Sequence, residues 1–125
     1  MPAFQGPDVP LLAAVTVDCC DLSLADFWAA LLSVEITHRD EQWAFLAYAP
    51  DRKVTIWFQK VPEEKTVKNR VHLDLAVTDR AATEARITSL GGSKLADHAW
   101  GEITWTTFAD PEGNEFDVMQ VAQEA

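Results

Sequence analysis

Basic residues are scarce in this 125-residue chain: ten Lys and Arg stand against twenty Asp and Glu, a formal net charge of -10. Such a balance repels phosphate backbones and anionic membrane surfaces, so no nucleic acid and no membrane is expected as a partner. Cysteine is scarcer still. The only two are neighbours, Cys19 and Cys20. Adjacent strand residues point to opposite faces, so a structural disulfide between them is not expected, and a reducing, cytoplasmic compartment fits. The opening "MPAFQGPDVP" has neither the basic nor the apolar segment of a signal peptide. No apolar run approaches membrane-spanning length. A Gly-rich phosphate loop, a Ser nucleophile elbow, CxxC and HExxH are all missing, which removes the commonest local motifs of nucleotide, hydrolase, redox and zinc-protease chemistry.

What is present suits one soluble domain over residues 1–125, since 48% hydrophobic and 24% charged residues suffice for a core at this length. The pattern runs in two rounds, about 11–62 and about 69–121. "LLAAVTVDCCD" reads as a strand over 11–19. Ser23 is placed to cap a helix carrying Leu24, Phe27, Trp28, Leu31 and Leu32 on one face, with Asp26 in its first turn. "QWAFLAYA" and "KVTIWFQKV" read as a hairpin turning at "PDR". In the second round "RVHLDLAVTD" is a strand and "RAATEARITSL" a helix with Ala82, Ala85 and Leu90 on its stripe, stopped by Gly-Gly. "GEITWTTFA", the turn "DPEG" and "NEFDVMQVA" complete it. Aligned without gaps, the rounds are offset by 58 positions, pairing Asp21 with Asp79 (79 − 21) and Phe58 with Phe116 (116 − 58). The expected fold is α+β: two tandem βαβββ repeats forming a curved mixed sheet around a cavity, helices on the outer face.

Alternation sorts the faces. Odd-numbered residues of both opening strands are apolar and belong under the helices. The opposite side gathers His72, Asp74, Glu115, Asp117, Trp57 and Gln59, a polar lining for a pocket. A histidine beside clustered acids has acid/base potential. Trp57, Trp105 and Trp43 could stack on a planar ligand, or could serve as core or dimer contacts. His38 ("HRDE") and His98 ("DHAW") read as surface residues in polar loops.

"NRVHLDLAVTD", "FADPEGNEFDV", "FWAALL" and "WFQKVPEEKTVKNRVHLDL" together resemble the vicinal oxygen chelate (VOC) superfamily of glyoxalases, extradiol dioxygenases and bleomycin- or fosfomycin-resistance proteins. The likeness is greatest to its small bacterial glyoxalase-like branch and spans about Leu11 to Val121. It implies metal ligands at four equivalent points, a histidine on each opening strand and a carboxylate on each closing strand. His72 and Asp117 match the second-half positions. The offset places Ala14 (72 − 58) and Gln59 (117 − 58) in the first half, where alanine offers no ligand and Gln a weak one. The resemblance therefore implies His72 and Asp117 as the functional pair, with Trp57, Gln59, Asp74, Glu115 and Trp105 facing a ligand. If Zn, Fe, Mn or Ni is held, the ligands are His72, Asp117 and Gln59.

Two function classes follow from it. One is a small-molecule-binding protein of the resistance kind that needs no cofactor and lacks standard glyoxalase activity. The other is a metal-dependent lyase, isomerase or dioxygenase with an atypical ligand set. A third, blander class places the function in partner contacts. The family resemblance further implies a homodimer.

Overall fold

A computed structural model describes residues 6–10, 12–48 and 54–121. The chain divides into two compact units between Glu64 and Lys65. The first holds β1 (Ala14–Cys19), α1 (Leu24–Leu32), β2 (Ile36–Arg39), β3 (Trp43–Leu46) and β4 (Thr55–Lys60). Its sheet has the order β1-β4-β3-β2, with β1 and β4 parallel and the other pairs antiparallel. The second holds β5 (Asp74–Val77), α2 (Arg80–Ser89), β6 (Ser93–Trp100), β7 (Ile103–Ala109) and β8 (Glu115–Gln120), ordered β5-β8-β7-β6 with the same directions. The α+β, twice-repeated βαβββ plan stands, and its hydrogen bonding forms two four-stranded mixed sheets.

Each helix lies on its own sheet, α1 against β2, β3 and β4, and α2 against β6 and β8. Leu24, Phe27 and Trp28 of α1 are buried, and Phe58 of β4 is fully buried. The cap differs from expectation. Ser23 already has helical φ/ψ and makes no side-chain cap, while Asp21 Oδ1 accepts the Ser23 N–H at 2.9 Å. That backbone donor holds the Asp21 carboxyl below its usual range. Asp26 reaches away from the helix end to Arg39, 2.7 Å from its Nη2.

The stripe of α2 needs correction. Ile87 is its one buried residue, half-buried Thr83 and Leu90 flank it, and Ala82 and Ala85 are exposed. Asp79 caps the helix by accepting the Ala82 N–H, which fixes where it starts and turns Ile87, at i+4 from Thr83, onto the sheet. Gly92 allows that closeness: a Cβ there would lie 2.6 Å from Ile87 Cγ2 and 3.0 Å from the Ala109 carbonyl.

Two strands went unread in the sequence. His38 lies on β2 and His98 on β6, so neither sits in a loop, although both side chains are exposed as expected. Both strands are sheet edges whose residues are mainly exposed, so no apolar-polar alternation marks them. β1 begins at Ala14, three positions after the expected start at Leu11. The "PDR" turn and Leu11 lie outside the described residues. Cys19 is buried, and Cys20 Sγ donates to the Glu63 carbonyl at 3.1 Å; neither forms a disulfide.

The "DPEG" turn sets the face of β8. Buried Asp110 accepts the N–H groups of Glu112 and Asn114 through Oδ1, and its carbonyl accepts the Gly113 N–H at 2.8 Å. Gly113, at φ +86°, takes the left-handed turn position. The chain then enters β8 with Phe116 and Val118 buried and Glu115 and Asp117 on the other face.

Candidate functional site

Parallel pairing of β5 with β8 places Asp74 directly against Asp117. Strand alternation puts both on the polar face, and His72, just ahead of β5, reaches across them. Its Nδ1 lies 3.1 Å from Asp74 Oδ1 and 3.4 Å from Asp117 Oδ2. β7 supplies a fourth group. Thr107, paired with Asp117, donates its hydroxyl to Asp117 Oδ1 at 2.6 Å and so orients Oδ2 toward the imidazole. Asp117 is the sheltered member, its side chain 15% exposed against 40% for His72 and 54% for Asp74.

Glu115 shares the face but is otherwise engaged. Its carboxylate accepts Lys65 Nζ at 3.0 Å and the Asn69 N–H at 3.2 Å, holding the connection that leads to His72. Burial pushes the Glu115 carboxyl up, but these donors outweigh it and leave its pKa lowered. The buried Oδ1 of Asn69 has no hydrogen-bond partner among the described residues.

Trp105 stacks on His98 with ring centroids 5.4 Å apart. In the first unit Trp57 lies against Phe45 at 4.7 Å, and Phe45 against Trp43 at 5.8 Å. Gln59 follows on the face of Trp57 and pairs with Trp43 across the strands. The second unit thus brings together His72, Asp74 and Asp117, while Trp57 and Gln59 belong to the first. A cavity of about 620 Å³ in the first unit is lined by Asp21, Leu22, Glu41, Lys60 and Pro62 among others, and none of His72, Asp74 and Asp117 lines it. The convergence of one imidazole and two carboxylates marks the candidate site.

Register revises the repeat. Partners in β1 and β4 are 41 positions apart (55 − 14), whereas those in β5 and β8 are 43 apart (117 − 74). A single offset of 58 therefore fails for both strands at once. β1 and β5 end alike at Cys19 and Val77, whose carbonyls accept the N–H groups of Val61 and Val121. Aligned there, Ala14 answers His72 and Thr16 answers Asp74 (74 − 58 = 16), so the counterpart of Asp117 is Trp57, the partner of Thr16, rather than Gln59 (16 + 41 = 57). Aligned on Gln59 instead, its partner Asp18 answers Asp74, and Thr16 answers His72. Neither alignment supplies a second histidine.

The second-half groups do fit a divalent cation. One donor atom each from His72, Asp74 and Asp117 lies within 4.8 Å of the others. Ligands about 2.1 Å from an ion sit roughly 3.0 to 3.4 Å apart at octahedral to tetrahedral angles. The two histidine–carboxylate separations fall near that span.

With this geometry in view, the comparisons with known proteins are consistent. The family model for the glyoxalase-like domain matches residues 14–119. The chain belongs to that family. Among solved structures it is similar to a glyoxalase/bleomycin resistance protein/dioxygenase family enzyme from Burkholderia phytofirmans, with 17% identity and a TM-score of 0.71 over 88% of this chain and 98% of that one. A glyoxalase-related enzyme from Fulvimarina pelagi gives 16% identity and a TM-score of 0.70 over 90% and 89%. A fosfomycin resistance protein from Mesorhizobium loti gives 13% and 0.68 over 96% and 95%. Identities this low carry the fold. None of the curated proteins matches. No described helix is long and apolar enough to cross a membrane.

The sequence missed Thr107 and the Lys65–Asn69 clamp. Alternation in "TWTTF" puts Trp105 and Thr107 on one face, which was signal enough for the threonine once β7 is aligned with β8.

Proposed function

We propose that this glyoxalase-like chain is a small-molecule-binding protein without standard metal-dependent glyoxalase activity. The observation that carries this reading is the lone histidine: either Ala14 or Thr16 stands where the repeat would supply its partner. In the second unit His72, Asp74 and Asp117 supply the polar groups and half-buried Trp105 a stacking surface, and in the first unit half-buried Trp57 and Gln59 offer stacking and hydrogen-bonding surface of their own. A homodimer in a bacterial cytoplasm is the matching assembly and location, and sedimentation at micromolar concentration tests the former. The binding reading itself is tested by screening small organic ligands by NMR with a chelator present. Ligands that shift His72 and Trp resonances, together with no lactoylglutathione lyase activity, are the expected result. Robust lyase activity would defeat it.

A second reading rests on the donor group just described. It is a metal-dependent lyase, isomerase or dioxygenase with an atypical ligand set, favoured by the convergence of one imidazole and two carboxylates.

A further inference from the structure

We infer that the first unit binds a planar, positively charged heterocycle, stacked on the indole of Trp57 above Thr16 of β1. The inference rests on the small-molecule-binding reading and names the class of ligand that the first-unit surface takes.

A row of rings crosses three neighbouring strands. Register pairs His38 of β2 with Phe45 of β3, and Phe45 with Trp57 of β4. Their centroids lie 5.0 Å and 4.7 Å apart, and their planes are tilted by 34° and 31°. Rings so close and so nearly parallel overlap face to face, at the spacing of the strands themselves, about 4.8 Å. They therefore stand up from the sheet and stack across it.

The row stops one strand short. β1 is the edge strand beside β4, and the register partner of Trp57 on it is Thr16. β1 carries no aromatic residue, Thr16 is exposed, and no ring besides Phe45 stacks on Trp57 among the described residues. A planar ligand laid on Trp57 would take the next step of the row, over a side chain small enough to leave it room.

Charge decides the class. Asp18 lies two residues along β1 on the same face, exposed and in register with half-buried Gln59. It has no ion-pair partner among the described residues, while Arg39 of this unit is held by Asp26. An indole face attracts cations through its ring quadrupole. A ring carrying a delocalised positive charge thus suits Trp57 and Asp18 together. The net charge of -10 also draws cations rather than anions from a distance.

The test is NMR titration of the full-length protein with N-methylquinolinium, a planar cation, and with quinoline, its neutral counterpart. The cation should shift the Trp57 indole N–H, its own ring protons should move upfield on stacking, and it should bind more tightly than quinoline. Trp57→Leu should weaken binding by roughly tenfold. Thr16→Phe should block it, because the protein's own ring then takes the next step of the row. Asp18→Asn should lower affinity for the cation by up to about fivefold and leave quinoline unaffected. Circular dichroism of each variant verifies folding. Undiminished binding to Thr16→Phe, or a Trp57 resonance unmoved at millimolar probe, would overturn the inference. Other ligands that still shift His72 and Trp105 would then leave the small-molecule-binding reading standing. Equal affinity for the two probes would overturn the charge assignment.

Discussion

Asp74 and Asp117 are direct strand partners, two carboxylates in register with one imidazole touching both. A protein selected only for stability would not oppose like charges there, since such pairs cost rather than contribute. Asp74→Asn should therefore leave the metal-free protein as stable as before or more so, by up to about 1 kcal/mol. The gain should shrink with added salt, because Asp74 is largely exposed. Urea denaturation at low and high ionic strength checks this. A clear loss of stability would make Asp74 a structural partner of His72 and nothing more.

Thr107 is expected to behave in the opposite way. Its hydroxyl is the only one donating to Asp117 among the described contacts, and a hydrogen bond to a charged group contributes about 1.5–3 kcal/mol. Thr107→Val should lower the unfolding midpoint accordingly, and Thr107→Ser should restore most of it. If valine is tolerated without loss, the 2.6 Å contact has no energetic weight.

Much of this architecture was legible because strand and helix periods are local. The faces of β1, β5 and β8 followed from alternation, and the polar group at His72, Asp74 and Asp117 with them. The edge strands β2 and β6 escaped because strands exposed along nearly their whole length carry no period-two signal. The exchange of Gln59 for Trp57 as counterpart of Asp117 was invisible for a different reason. Register is set by inter-strand hydrogen bonds, and a two-residue change in it leaves every side chain on its face, so the sequence pattern looks the same.

Ile87 offers a direct check on the second helix. As the sole fully buried residue of α2 it carries most of the helix's apolar anchoring. Ile87→Ala should cost about 2–5 kcal/mol. Gly92→Ala should also destabilise, since its Cβ would strike Ile87 and the Ala109 backbone. Thermal melts of the two variants, with Ala85→Ser as an exposed control, provide the measurement. A neutral Ile87→Ala would mean that α2 is held by other contacts.

Glu115 yields a pH prediction whose sign follows from its partners. Burial raises its pKa, and the Lys65 ammonium and Asn69 N–H more than reverse that, so the folded value lies below the ordinary 4.5. A carboxyl depressed in the folded state contributes stability that is fully present above its unfolded pKa and is lost as pH falls through the folded one. Glu115→Gln should thus be less stable than the parent protein at neutral pH, and the gap should narrow steadily below pH 4.5. Hydrogen exchange at Asn69 should quicken in the variant, because its N–H loses a charged acceptor. Lys65→Met should reproduce the loss in part, since it removes one of the two donors and leaves the carboxylate sheltered. A gap independent of pH would assign the effect to packing and remove Glu115 from the electrostatic account of the loop before His72.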